Sequence, residues 1–203
     1  NRLALRVCLL FAIFAIGAGE LYKRRGDSIQ SYHQHLKDPG IIREYLSAHS
    51  VKKLQLGAGG NVVKGWLNTD IEPTKGEVYL DAMGDYPFPD ASFQYVFAEH
   101  LIEHLPWEGG LKMLKESHRV QAPGGKIRIV TPNLKKLIGL VNNGIESESR
   151  EGIDASQRLF GWPDTPVMAV YVFNRVVRDW GHQFIYDPES LRKTLELAGF
   201  REI

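Results

Sequence analysis

A glycine-rich turn at residues 54–61 is the segment of this sequence best suited to binding a ligand. The letters Leu-Gln-Leu-Gly-Ala-Gly-Gly-Asn describe a short apolar strand that runs directly into paired glycines. Glycines at such a turn bring backbone N–H groups close to a nucleotide-like ligand. Gly57 and Gly59 match the first two glycines of a dinucleotide-binding fingerprint, but Val62 stands where the third belongs. The turn therefore indicates a nucleotide-like cofactor, with a nicotinamide cofactor as the weaker alternative.

Acids follow two further predicted strands downstream of this turn. Asp70 ends the run Trp66-Leu67-Asn68-Thr69, and Asp81 ends the run Val78-Tyr79-Leu80. In a parallel α/β fold, the acid after the second strand accepts hydrogen bonds from ribose hydroxyls, and a carboxylate after the third can accept one from the adenine amino group. The ordered series predicts an adenosine-containing ligand.

Taken with the motifs that follow, residues 52 to 203 resemble the class I S-adenosylmethionine-dependent methyltransferases. The similarity is to the methyltransferase type 11 group and its short relatives associated with polysaccharide biosynthesis. Besides the turn and the two acids, it rests on Pro87-Phe88-Pro89-Asp90, Ser92-Phe93, Glu103-His104, Glu116 with Arg119-Val120, Pro123-Gly124-Gly125, Thr131-Pro132-Asn133, His182 and Ala198-Gly199-Phe200.

The resemblance implies S-adenosylmethionine as the cofactor and methyl transfer to a small-molecule or glycan-linked acceptor. Gly57 and Gly59 would approach the methionine part of the cofactor, Asp70 its ribose, and Asp81 with Ala82 its adenine. The full set of implied cofactor-binding residues is Gly57, Ala58, Gly59, Asp70, Ile71, Asp81, Ala82 and Glu99.

Three positions depart from the family pattern. Gln55 replaces an acid, Asn61 replaces a frequent glycine, and Gln94 replaces the aspartate that usually follows Phe93. The connections after Gly59 and Asp70 are also shorter than the dozen or so residues of a normal parallel crossover. These departures keep a second hypothesis open, a noncatalytic cofactor-binding or scaffold protein of the same fold.

Two histidines are the candidate catalytic bases for a hydroxyl acceptor, because an imidazole titrates near neutral pH. His100 follows the predicted fourth strand, and His182 lies where the chain returns from a predicted lid. His100, Glu103 and His104 also match the H-x-x-E-H pattern of inverted zinc peptidases. We set that interpretation aside, predict no metal site, and expect Glu103 and His104 to form a helical cap that faces solvent.

The periodicity predicts a Rossmann-like three-layer α/β sandwich with a mostly parallel sheet, abbreviated early crossover helices and a sheet left incomplete at the C-terminus. Predicted strands span residues 53–56, 67–70, 78–80, 94–98 and 126–130, and a sixth begins at residues 199–203. Predicted helices cover residues 41–46, 107–119 and 189–198.

The chain divides into three predicted regions: a hydrophobic segment at 1–25, a linker and flanking helix at 26–50, and a methyltransferase domain at 51–203. An insertion at about 134–180 is the predicted lid over the acceptor. Residues 3–19 are apolar apart from Arg6 and favour a membrane anchor, with a signal sequence or a packed helix as alternatives. The basic residues 23–25 favour a cytosolic catalytic domain. The alternative location is the cytoplasm.

Composition excludes some classes of function. The 203 residues carry a net charge of +1, and the lysines and arginines are scattered, which argues against a nucleic-acid partner. The one cysteine, Cys8, excludes an internal disulfide.

Overall fold

The structure is a computed structural model that describes residues 38–145 and 168–203. Five strands form one sheet in the order β3-β2-β1-β4-β5, and every neighbouring pair is parallel. The strands are β1 (Lys53–Leu56), β2 (Leu67–Asp70), β3 (Glu77–Tyr79), β4 (Phe93–Glu99) and β5 (Gln121–Val130). The helices are α1 (Asp38–Ala48), α2 (Trp107–Val120), α3 (Leu134–Asn143), α4 (Ala169–Arg178) and α5 (Pro188–Ala198), with 3₁₀ turns at Ile102–His104 and Asp179–Gly181.

The predicted α/β class is confirmed by this sheet. β1 lies at its centre, and all four of its residues are at least partly buried, as in a parallel strand covered on both faces. The predicted bounds of β1 and β2 match the structure, whereas β3 begins and ends one residue earlier than predicted.

The predicted loss of the early crossover helices is also confirmed. Residues 57–66 join β1 to β2, and residues 71–76 join β2 to β3, without a helix in either connection. The loop before β2 is held by Asn68, whose side-chain Oδ1 accepts the N–H of Val63 at 2.9 Å and whose Nδ2 donates to the Trp66 carbonyl at 3.0 Å. Side-chain hydrogen bonds thus replace part of the support that a crossover helix would give.

Two predicted strands in the second half of the chain differ from the structure. β5 begins at Gln121 rather than at residue 126, with a register shift opposite Phe93 and Tyr95 and a left-handed Gly124 at φ 75°. The sixth strand predicted at 199–203 is wrong, since no strand forms there. Gly199 ends α5 in a left-handed conformation, and the N–H of Phe200 bonds back to the Leu195 carbonyl.

A polar cluster fastens the loop before β4 to α2. The guanidinium of Arg119 donates to the carbonyls of Tyr86 and Phe88 and to the carboxylates of Asp90 and Glu116, at 2.7–3.0 Å. The hydrogen bond from Arg119 is the main cause that lowers the pKa of Glu116. This cluster holds α2 in the position from which its apolar face covers the sheet.

Several predictions fall on residues outside the described ranges. They are the hydrophobic segment at 1–25 with Cys8, the linker up to residue 37, and the middle of the predicted lid at 146–167. The described ends of that lid are α3 and α4, which pack against each other. Within residues 38–145 and 168–203, none of the helices has both the length and the apolar character needed to cross a membrane.

Candidate cofactor and acceptor site

The carboxyl ends of the parallel strands bring most of the predicted site residues to one edge of the sheet. The strand order turns back at β1, between β2 and β4, which is the switch point where open α/β sheets bind their ligands. Leu56 of β1 pairs with Ala98 of β4, so Gly57 and Glu99 follow as neighbours at this edge. Asp70 ends β2 on the other side of β1.

The glycine turn takes a backbone conformation that side chains rarely adopt. Gly57, Gly59 and Gly60 have φ values of 60°, 56° and 81°. A Cβ at Gly57 would lie 2.8 Å from Cδ1 of Leu101, whereas a Cβ at Gly59 or Gly60 would meet nothing within 4 Å. Gly57 therefore permits close packing within the protein, and the other two glycines leave an open backbone surface.

The N–H groups of the turn are used within the protein. Ala58 donates to the Thr69 carbonyl at 2.9 Å, Gly59 to Oδ2 of Asp70 at 2.8 Å, and Gly60 to Oε1 of Glu77 at 2.9 Å. The expectation that these N–H groups face the ligand is not met at these three residues. What the turn leaves open is the space that side chains at Gly59 and Gly60 would occupy.

Glu77 is a site-supporting residue that the sequence analysis missed. Its carboxylate is buried, with the residue 3% exposed, and it accepts the N–H groups of both Gly60 and Thr74. A buried carboxylate needs such partners, because removing its charge from water is otherwise costly. The available signal was an acid directly before the apolar segment 78–80.

Gln55 lies beneath the turn. The residue is 3% exposed, and its Nε2 donates to the Asn61 carbonyl at 3.2 Å. Its Oε1 is buried and, within the described parts of the chain, has no hydrogen-bond partner. An acceptor in this condition is unusual in a folded protein.

The two predicted adenosine-binding acids already accept hydrogen bonds from nearby backbone N–H groups. Asp70 also accepts the N–H of Glu72 through Oδ1, at 2.9 Å, and Oδ1 of Asp81 accepts the N–H of Met83 at 2.8 Å. Each carboxylate keeps lone pairs for a ligand, because an ionised carboxylate accepts about four hydrogen bonds. Ile71 is exposed and Ala82 is half-buried.

His100 and Glu103 form a pair at the end of β4. The His100 side chain is 62% exposed, and its Nδ1 donates to Oε1 of Glu103 at 2.9 Å. Oε2 of Glu103 accepts the hydroxyl of Thr131 at 2.9 Å. Glu99, at the last position of β4, is exposed. His100 itself adopts a left-handed φ of 50°, a strained conformation of the kind that concentrates at functional sites.

The prediction that Glu103 and His104 face solvent is wrong. Glu103 is 0% exposed and His104 is partly buried, because the 3₁₀ turn at Ile102–His104 is covered by residues 182–184. The sequence contained no sign of this cover, since it comes from a distant part of the chain.

His182 meets His104 rather than His100. The two rings contact edge to face, with their centroids 4.7 Å apart, and Nδ1 of His182 donates to the Val176 carbonyl. Burial, followed by the neighbouring His182, lowers the pKa of His104. The structure thus separates the two predicted bases, with His100 open to solvent and His182 inside a cluster.

An open parallel sheet with a glycine turn and an acid at its switch point defines a Rossmann-like cofactor-binding domain. Residues 57–129 match the model of a family described as a methyltransferase domain, methyltransferase type 11. This segment therefore resembles the methyltransferase domain of that family. The resemblance seen in the sequence is confirmed over these residues.

The solved structures that resemble this chain include several that are described as methyltransferases. A Bacillus halodurans protein described as a putative methyltransferase is 20% identical, with 79% of this chain and 66% of that chain covered and a TM-score of 0.45. A SAM-dependent methyltransferase from Archaeoglobus fulgidus is 18% identical, with 83% and 70% covered and a TM-score of 0.46. A possible histamine N-methyltransferase from Thermotoga maritima is 15% identical, with 87% and 78% covered and a TM-score of 0.43. No curated protein matches the chain.

Proposed function

We propose that this protein transfers the methyl group of S-adenosylmethionine to a hydroxyl on a small-molecule or glycan-linked acceptor. The observation that carries the proposal is the pair formed by His100 and the buried Glu103, one residue position away from the cofactor edge of the sheet. A scaffold protein would have no need of an exposed histidine held by a buried carboxylate.

The residues of the turn fit the cofactor. Gly59 and Gly60 leave an open backbone surface, and the unpartnered Oε1 of Gln55 offers an acceptor to the cofactor's ammonium group. Asp70 and Asp81 keep lone pairs for its ribose and adenine. S-adenosylmethionine, when bound, supplies a methyl group on a sulfonium sulfur, which is a good leaving group.

His100 acts as the general base. Its Nδ1 is held by Glu103, so its Nε2 carries the lone pair that takes the acceptor proton. The acceptor oxygen then forms its bond to the methyl carbon as the carbon–sulfur bond breaks, and S-adenosylhomocysteine is released. Glu103 fixes the ring orientation and stabilises the imidazolium that forms.

The cofactor half of the proposal is tested by Asp70→Ala. We expect this change to weaken S-adenosylhomocysteine binding at least ~10-fold in titration calorimetry, because it removes a ribose acceptor and the support of Gly59. Asp85→Ala is the matched control, since Asp85 is 94% exposed and pairs only with Lys112 in the described structure. Equal affinities in the two variants would remove Asp70 from the site.

The acceptor half is tested by a screen. The full chain is incubated with S-adenosylmethionine and panels of sugars, glycans, amines and small alcohols, and S-adenosylhomocysteine is quantified. His100→Ala is expected to lower kcat by about 10²–10⁴-fold, the usual contribution of a general base, with the affinity for S-adenosylhomocysteine retained. His118→Gln is the control, because His118 packs against Phe200 away from the turn. Cofactor binding with no turnover across the panel would favour the scaffold hypothesis.

We also propose that residues 3–19 tether the protein to a membrane with the catalytic domain in the cytosol. The support is the apolar sequence followed by basic residues 23–25. Flotation of the full chain with phospholipid vesicles is the test. Ile13→Lys, a charge in the middle of the segment, is expected to reduce flotation, and unchanged flotation would contradict the tether.

A further inference from the structure

A second cluster of potential ligands lies next to the proposed base. One donor atom from each of Glu103, His104 and His182 lies within 4.8 Å of the others. Glu103 and His104 belong to the 3₁₀ turn after β4, whereas His182 follows the second 3₁₀ turn, after α4. The set differs from the H-x-x-E-H pattern in the sequence, because His100 is replaced by a histidine from a distant segment.

Backbone hydrogen bonds hold the two segments together. The Glu103 carbonyl accepts the N–H groups of Gln183 at 2.7 Å and Phe184 at 3.2 Å. The side-chain Nε2 of Gln183 donates to the His104 carbonyl at 2.8 Å. These contacts fix His182 against the turn before any ligand binds, which is the preorganisation that an ion site requires.

The side chains are oriented as metal ligands usually are. Nδ1 of His182 is engaged by the Val176 carbonyl, which leaves Nε2 with its lone pair. A ring nitrogen of His104 bonds to the backbone of Trp180. Thr131 and His100 each hold one oxygen of Glu103. Metal-binding histidines and carboxylates typically have such outer partners, which set the ring orientation and the free lone pair.

The charge of Glu103 supports a bound cation. This carboxylate is 0% exposed, and in residues 38–145 and 168–203 no lysine or arginine forms an ion pair with it. A buried carboxylate is costly unless a cation or several donors compensate it. Its hydrogen-bond partners in the described structure are the neutral hydroxyl of Thr131 and the ring of His100, which is mostly in solvent.

We propose that Glu103, His104 and His182 bind one divalent transition-metal ion, best matched by Zn²⁺. Two imidazoles and one carboxylate form the three-ligand set of catalytic zinc sites, which leaves a coordination position open. Mg²⁺ and Ca²⁺ are poorer matches, because both prefer oxygen ligands. An ion held by these three side chains would supply Lewis-acid chemistry, which lowers the pKa of a bound hydroxyl, close to the proposed base His100. This last role rests on the proposed function, whereas the ion site does not.

The test is titration of the untagged full chain, freed of metal by dialysis against EDTA, with Zn²⁺ and separately with Mg²⁺. We expect one Zn²⁺ per chain and much weaker Mg²⁺ binding. Zn²⁺ affinity should fall at least ~10-fold in His182→Ala and in His104→Gln. His49→Gln is the matched control, since His49 stacks on Tyr45 beside α1 and should keep full affinity.

Co²⁺ gives a second readout that does not depend on the calorimetric signal. The visible absorption bands of four-coordinate Co²⁺ should appear with the wild-type chain and with His49→Gln, and should be lost in both cluster variants. Circular dichroism checks that each variant is folded. Absence of Zn²⁺ binding, or equal binding in the wild-type chain and both cluster variants, would overturn the site.

Failure of the ion site and failure of the proposed function are distinguishable. Zn²⁺ binding without S-adenosylhomocysteine binding would retain the site and reject the methyltransferase role. S-adenosylhomocysteine binding without Zn²⁺ binding would reject the ion site and retain the methyltransferase role.

Discussion

The replacement of Gly57 by alanine tests the geometry of the glycine turn. The new side chain must adopt a left-handed backbone at φ 60°, and its Cβ would lie 2.8 Å from Cδ1 of Leu101. The backbone conformation costs about 1–2 kcal/mol. Displacement of Leu101 within a packed region adds about 1–3 kcal/mol. The expected loss of unfolding free energy is therefore about 2–5 kcal/mol.

Gly59→Ala isolates the backbone cost. Gly59 has nearly the same φ, 56°, but a Cβ there would meet nothing within 4 Å. Its expected loss is only the backbone part, about 1–2 kcal/mol. The difference between the two variants thus measures the contact with Leu101. A further variant, Gly57→Ala with Leu101→Ala, should lose less than the sum of its single changes, because the smaller side chain removes the clash.

Urea denaturation followed by circular dichroism is the assay, supported by thermal melts. In a domain of this size, each kcal/mol lowers Tm by about 2–4 °C, so Gly57→Ala should melt several degrees below Gly59→Ala. A Gly57→Ala variant that is as stable as Gly59→Ala, or additive losses in the double variant, would refute the close packing of Leu101 on the turn.

Two further predictions concern the Arg119 cluster. Arg119→Met should lower the free energy of unfolding by about 1–3 kcal/mol in urea denaturation, because buried carbonyls of the loop before β4 lose their donor. The control Lys193→Met breaks an exposed ion pair on α5 and should lower it less. Equal losses in the two variants would contradict the role of the cluster. Because the pKa of Glu116 is lowered in the folded state, its stabilising contribution is present above its unfolded pKa of about 4.3 and is lost as the pH falls through the lowered folded pKa. The Tm difference between wild type and Glu116→Gln should therefore be largest near neutral pH and shrink in acid. The control is Glu196→Gln, which changes an exposed carboxylate and should show no such dependence on pH. A Tm difference for Glu116→Gln that is independent of pH would show that the ion pair with Arg119 does not stabilise the fold.

The central strands could be predicted from sequence because local pattern determines them. Residues 53–56 and 67–70 are short segments that end at a glycine turn or an acid, and their bounds match β1 and β2. The short connections between the early strands predicted the missing helices for a similarly local reason, namely the number of residues available.

Contacts between distant segments could not be predicted in the same way. The burial of Glu103 depends on residues 182–184 folding over the 3₁₀ turn, and no local pattern marks that contact. For the same reason, Glu77 was missed, and Gln55 was noted only as a departure from the family pattern. The role of each residue comes from its hydrogen bond to the glycine turn. At the predicted sixth strand, Gly199 ends α5, Phe200 packs against His118, and residues 199–203 pair with no strand of the described sheet.

The most direct test of the account is calorimetric titration of the full chain with S-adenosylhomocysteine and, in parallel, with NAD. The account predicts one micromolar site for S-adenosylhomocysteine, about −8 kcal/mol, and no binding of NAD. Absence of S-adenosylhomocysteine binding by a folded chain, or binding of NAD with equal affinity, would contradict the assignment of the glycine turn and Asp70 to this cofactor.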